Sequence, residues 1–178
     1  QECMLMPVGA SSFSEAMRWG TEAYHVLKKV LQDKGLSTAV GDEGGFAPDL
    51  GSNEEALQLL VDAIERSGRV PGDEIALAMD VASTEFFSGG SYNLAAEGRS
   101  LTPSEMVAEY VSLCDKYPIV SIEDGMDEDD WDGWKEMMHK LGNKIQIVGD
   151  DMLVTNPERI RSAVEQKAAN SLLLKVNQ

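Results

Sequence analysis

Ile119-Val120-Ser121-Ile122-Glu123-Asp124 and, one helix-length further on, Ile145-Gln146-Ile147-Val148-Gly149-Asp150 decide the fold. Each is a short apolar run that stops on a carboxylate. Residues 127–131 between them open a helix that reaches Leu141. The unit recurs on both sides: residues 75–79 are apolar and end in Asp80, and residues 172–174 are apolar and end in Lys175. Thr102-Pro103 opens a helix through Met106, Val107, Tyr110, Val111 and Leu113, and Asn156-Pro157 opens one through Ile160, Ala163 and Val164. Strand, helix, strand, helix predicts a parallel sheet with helices outside. The strands are nearly all apolar rather than alternating, as when both faces are buried. Within one unit, Phe86-Phe87 and Tyr92 to Leu94 flank Ser88-Gly89-Gly90-Ser91, a small hairpin.

The earlier residues are less regular. Residues 2–8 read as a strand, and Ser12 or Ser14 caps a helix carrying Ala16, Met17, Ala23, Tyr24, Leu27, Val30 and Leu31 up to a stop at Gly35. A glycine-rich loop follows, Gly41-Asp42-Glu43-Gly44-Gly45. Ser52 or Asn53 then caps a second helix with Leu57, Leu60, Val61 and Ile64 on one face.

Composition narrows the function. The 178 residues hold 15 Lys and Arg against 31 Asp and Glu, a net charge of −16, which repels a phosphate backbone and argues against nucleic-acid binding. A hydrophobic content of 43% is that of a folded domain and argues against disorder. No apolar stretch approaches the roughly 20 residues of a membrane span. Cys3 and Cys114 make no disulfide framework, so a cytoplasmic setting is expected. Neither end reads as a natural terminus: there is no signal peptide at Gln1, and the chain stops just after a strand, so a piece of a longer protein is expected.

The chemistry lies at the strand ends. Asp80, Glu123, Asp150 and Lys175 follow four successive strands, and in a (β/α)₈ barrel those ends converge on the active-site face. Three converging carboxylates repel unless a hard divalent cation joins them, and with no His or Cys among them the choice falls on Mg²⁺ rather than Zn²⁺. Lys175 beside them is a candidate base, its proton affinity expected to be lowered by nearby positive charge and partial burial. Glu43 stands in a loop whose glycines let backbone approach a ligand closely. Asp42, Asp124 and Asp151 read as supporting neighbours. The acidic run 127–130 reads as a solvated helix start, Trp131, Trp134 and the methionines as packing, and His25 and His139 as helix residues rather than ligands.

Gln1-Glu2, Gly41-Asp42-Glu43-Gly44-Gly45, Ser121-Ile122-Glu123-Asp124, Gly149-Asp150-Asp151 and Leu172-Leu173-Leu174-Lys175-Val176-Asn177-Gln178 together closely resemble the enolase family. Pro118 to Gly125 followed by Asp129-Asp130-Trp131 is similar to its bacterial members. The resemblance implies a partial TIM-like (β/α)₈ barrel, about five of eight strands, with residues 1–178 a fragment of the family's C-terminal barrel domain. It implies Asp80, Glu123 and Asp150 as Mg²⁺ ligands and Lys175 as the base that takes the carbon-2 proton of 2-phosphoglycerate. Glu43 and Glu2 would assist loss of the carbon-3 hydroxyl, giving phosphoenolpyruvate. Gln1, Glu2, Glu43, Glu123, Asp150 and Lys175 would contact substrate. A Lys or His base working with one or two Mg²⁺ ions is a known property of that superfamily. The family is dimeric or octameric. It also includes cell-surface or secreted members associated with plasminogen, which gives a competing reading as an interaction protein. Another acid-sugar dehydratase of the superfamily is the third. The resemblance further implies that this stretch alone, lacking the remaining strands, is inactive.

Overall fold

The computed structural model describes all of residues 1–178. It divides into two compact units, Glu2–Leu77 and Ala78–Gln178, the second including Gln1.

The first unit opens with strand β1 (Glu2–Met6). Helix α1 (Phe13–Asp33) follows; its N-cap is Ser12, whose hydroxyl accepts from the Glu15 amide. Helix α2 (Asn53–Arg66) is capped by Ser52, with Glu54 and Glu55 in the first turn, where the helix dipole favours negative charge. Val30, Leu31 and Leu59 are buried together, with Leu27, Leu36 and Phe46 packed against them. Between the helices the 41–45 turn is closed by the Gly41 amide on the Gly45 carbonyl, 2.9 Å, and the Gly44 amide on the Gly41 carbonyl, 3.0 Å. Tyr24 of α1 steadies it. The ring stacks on Phe46 at 4.3 Å, and the hydroxyl donates to the Gly44 carbonyl.

The second unit carries the regular pattern. Strand β2 (Ala76–Asp80) leads into a meander of β3 (Phe87–Ser88), β4 (Ser91–Leu94) and β5 (Arg99–Leu101). The hairpin expected at 88–91 is present, and β5 adds a third antiparallel strand to it. Helix α3 (Pro103–Lys116) starts with a full capping box: Thr102 and Glu105 each satisfy the other's backbone N–H. Strand β6 (Ile119–Glu123), helix α4 (Trp131–Leu141), strand β7 (Gln146–Gly149), helix α5 (Pro157–Gln166) and strand β8 (Ser171–Leu172) complete it. The sheet runs β2-β6-β7-β8 through this unit, and β6–β7 and β7–β8 are parallel. With β1, five strands of the barrel type are present. Ile122 and Ile147 are fully buried, as the unbroken apolar runs require.

Two local expectations need correction. The strand expected over 172–174 stops at Leu172. Its last rung is the Leu173 amide on the Gly149 carbonyl, 3.1 Å, where β7 itself ends, and Leu174 is exposed. The acidic run 127–130 is not merely solvated. Asp130 caps α4 through the Gly133 amide and accepts from the Tyr92 hydroxyl at 2.7 Å, while that hydroxyl accepts from the Asp127 amide. Trp134 is a packing residue, as expected: fully buried, with its indole N–H on the Asp127 carbonyl at 2.9 Å. Trp134→Ala is expected to cost about 3–5 kcal/mol in urea unfolding. A loss under about 1 kcal/mol would show that α4 is not part of the cooperative core.

Candidate metal centre and active site

Each candidate group in the second unit is delivered by the end of a strand. Asp80 is the last residue of β2 and Glu123 the last of β6; Asp150 follows β7 by one residue and Lys175 follows β8 by three. Register fixes their relative heights. Glu123 lies opposite Val148, so Asp150 reaches two residues further along the strand direction, about 6–7 Å.

The loops after these strands turn sharply. Ala82 (φ 46°), Asp124 (φ 42°), Val154 (φ 41°) and Thr155 (φ 53°) are all left-handed without being glycine. Such conformations cost about 1–3 kcal/mol each and gather at functional sites. They are held from outside. The Val81 amide donates to the Glu123 carbonyl and the Ser83 amide to the Asp124 carbonyl, at 3.0 and 3.1 Å. The Asp124 carboxylate accepts from the Asp150 and Asp151 amides, at 3.0 and 2.8 Å.

The carboxyls are strongly coupled. Burial, then the charges of Asp80, Asp150 and Asp124, pushes Glu123 up to about 7, against the pull of Lys175. Burial raises Asp80 too, with the charges of Asp150 and Asp151 adding to it. Asp124 rises to about 6, again chiefly through burial, although its two amide bonds oppose the shift.

Lys175 departs from expectation. Its Nζ lies 2.5 Å from Asp150 Oδ2, and this hydrogen bond, reinforced by the charges of Asp150, Asp151 and Glu123, raises its proton affinity rather than lowering it. The neighbouring charge that decides the direction is negative. Asp150 is itself buried, and its other oxygen, Oδ1, is buried without any hydrogen-bond partner.

That orphan oxygen tests whether a cation fits. A buried carboxylate oxygen without a donor is costly, and a metal ion removes the cost. The acidic side chains at these strand ends offer carboxylate oxygens, the donor set of a hard cation such as Mg²⁺. The tightest acidic group by distance is Asp124, Asp150 and Asp151, with ligand atoms within 4.8 Å of one another. Asp124 is the weak member of that trio, because both its oxygens already accept backbone N–H groups. Asp150 is common to that trio and to the trio with Asp80 and Glu123. Asp80 and Glu123, the other two expected ligands, stand outside that tight group, and burial is the first cause of their raised proton affinities.

The family model for enolase, C-terminal TIM barrel domain, matches residues 1–178. The chain belongs to this family. In enolase-type barrels the strand C-termini form the active-site face, which is where these four residues stand.

Glu2 on β1 and Glu43 in the 41–45 turn belong to the first unit; Glu43 is exposed. Gln1 is exposed. The open groove beside α1, rimmed by Arg18, His25 and Arg66, contains none of the candidate residues. Its arginines are paired, Arg18 with Glu22 at 2.8 Å and Arg66 with Asp62 at 2.7 Å. Sequence reading misses one contributor, Arg159. Asp124 has the supporting role its sequence position suggests, accepting the Asp150 and Asp151 amides. Arg159 left no local signal at all, since its partners lie up to 31 residues away.

The raised carboxyls make a pH prediction. Glu123 titrates near 7 in the folded chain against an ordinary 4.5, so between those values the native state binds more protons than the unfolded one. Stability of the metal-free protein therefore falls as pH rises from about 4.5 to 7. The expected result is a chelator-treated thermal midpoint a few degrees higher at pH 5 than at pH 8, with the difference reduced in Glu123→Gln. Equal dependence in both proteins would refute the coupling.

Proposed function

We propose that this chain is the central part of the C-terminal barrel of an enolase of bacterial type, which dehydrates 2-phosphoglycerate to phosphoenolpyruvate. The observation that carries the reading is the Lys175–Asp150 contact beside a buried, unpartnered carboxylate oxygen: a base and a cation site side by side at the ends of consecutive strands. Asp80, Glu123 and Asp150 would hold Mg²⁺. When bound, the ion supplies positive charge against the substrate carboxylate, which gains negative charge as its α-proton leaves.

The remaining work falls to side chains. Lys175 must be a free amine to accept the carbon-2 proton, and Asp150 now keeps it protonated. Asp150 must therefore give up that hydrogen bond before Lys175 can act as a base. Hydroxide is a poor leaving group, so Glu43, with Glu2, donates the proton that lets the carbon-3 hydroxyl depart as water. Gln1, Glu2, Glu43, Glu123, Asp150 and Lys175 line the substrate in this reading. Base and acid need opposite protonation states at one pH, which requires different surroundings. A glycolytic or gluconeogenic, cytoplasmic homo-oligomer is the setting that goes with it.

The test is Mg²⁺-dependent formation of phosphoenolpyruvate by the whole protein, with and without chelator. Turnover that requires the metal is expected. Metal-dependent dehydration of an acid sugar in place of 2-phosphoglycerate would overturn the reading in favour of another member of the superfamily. Plasminogen capture that survives both chelation and Lys175→Ala, with no turnover, would favour an interaction protein.

A further inference from the structure

We propose that Arg159 is a positioning residue for the cation site, clamping the loop that follows Glu123 to the loop that carries Asp150. The inference rests on the metal-site reading above and adds to it a residue outside the acidic cluster.

Arg159 stands in the first turn of α5, yet its guanidinium is spent on other segments. Nε donates to the Met152 carbonyl, two residues beyond Asp150. Nη2 donates to the Glu128 carbonyl, in the loop that begins after Glu123. Nη1 and Nη2 both reach Asp129 Oδ1, at 3.2 and 3.1 Å. The guanidinium carbon lies 5.5 Å from the centre of the Trp131 ring, at the start of α4. One planar fork thus joins the β7–α5 loop to the β6–α4 loop, a geometry that a guanidinium can hold and an ammonium cannot.

The loops need such a brace. They contain the left-handed residues Asp124, Val154 and Thr155. Their other cross-link is Asp124, which holds the Asp150 and Asp151 amides from the opposite direction. Asp124 pulls the start of the β7–α5 loop toward β6, and Arg159 pins the same loop at Met152. With both in place, Asp150 is held against the end of β6, whose register with β7 fixes Glu123, before any ion arrives. An octahedral cation is bound tightly only when its ligands are already spaced for it.

Coulomb's law and positioning give opposite signs. Removing a cation near an acidic site strengthens attraction for Mg²⁺; removing a brace weakens capture. In the whole protein, the Mg²⁺ affinity of Arg159→Met is measured by calorimetric titration, alongside the thermal midpoint in chelator. The expected result is affinity weaker by up to about 10-fold, the low end of the cost of losing a residue that hydrogen-bonds a ligand directly. Arg159→Lys is expected to recover little of it, because one ammonium cannot bridge both carbonyls. Unchanged or tighter Mg²⁺ binding with a lowered metal-free midpoint would make Arg159 a fold-stabilising residue only and overturn the proposal. Should Arg159→Met not fold, Arg159→Lys, which keeps the charge and loses the fork, is read by the same titration: weaker binding supports the clamp, unchanged binding overturns it. Glu123→Gln separates the two readings. If that variant binds Mg²⁺ like the parent, the metal-site reading itself has failed, whatever Arg159 does.

Discussion

Lys175→Ala is expected to abolish phosphoenolpyruvate formation by the whole protein, by at least about 10³-fold, while leaving Mg²⁺-induced stabilisation in place. General bases contribute about 10²–10⁴-fold, and the α-proton of a carboxylate is so weakly acidic that water is a poor substitute. The side chain is more than a third exposed, so its loss leaves no large cavity and the fold should survive. Its ion pair with Asp150 is replaced by a carboxylate with one more free oxygen, which favours cation binding if it changes it at all. The variant therefore separates chemistry from metal capture. Steady-state turnover and the thermal midpoint with and without Mg²⁺ check it. Turnover within 10-fold of the parent would remove Lys175 from the mechanism. Loss of the Mg²⁺ shift together with turnover would mean that the substitution damaged the cradle, and Lys175 would no longer be needed to explain inactivity.

Glu123→Gln is expected to do the reverse: to raise metal-free stability at pH 8 and to destroy Mg²⁺ binding. Above pH 7 the native state carries a half-buried carboxylate beside Asp80, Asp150 and Asp124, a repulsion that the unfolded chain does not feel. A neutral amide of nearly equal size removes that charge. The same change deletes a charged ligand from the proposed trio, and affinity should fall by more than about 100-fold, beyond the 10–100-fold cost of losing an outer-shell partner. Titration calorimetry gives the affinity, and thermal unfolding in chelator gives the stability. A variant that is less stable and still binds Mg²⁺ would show Glu123 to be a structural residue.

How much of this could be read from the chain varies by residue. The runs ending in Asp80, Glu123 and Asp150 announce their strands because parallel strands are apolar on both faces and stop where polar chemistry begins. The cap at Thr102-Pro103 is equally plain, since both side-chain and backbone rules act within four residues. β8 is shorter than its hydropathy suggests: Leu172, Leu173 and Leu174 have the same hydropathy, but only Leu172 and the Leu173 amide find a rung on β7. β5 is silent in the sequence because Arg99 and Ser100 are exposed and only Leu101 is buried, leaving no apolar run. The direction of the Lys175 shift depended on which charge stands nearest, and spacing in sequence cannot supply that. Asp124 and Arg159 act across 26 to 31 residues, through backbone groups whose positions exist only once the sheet has formed.

The double stitching of the β6 and β7 loops bears on how such a barrel can be recombined. Barrel loops are often regarded as interchangeable modules, each traded without disturbing its neighbours. Here the segment after β6 lends a carboxylate to the segment after β7, and the helix that follows β7 grips both. Grafting either loop alone into a related barrel would leave acceptors and amides facing nothing. The transferable cassette is the pair, residues 119–166 moved as one block.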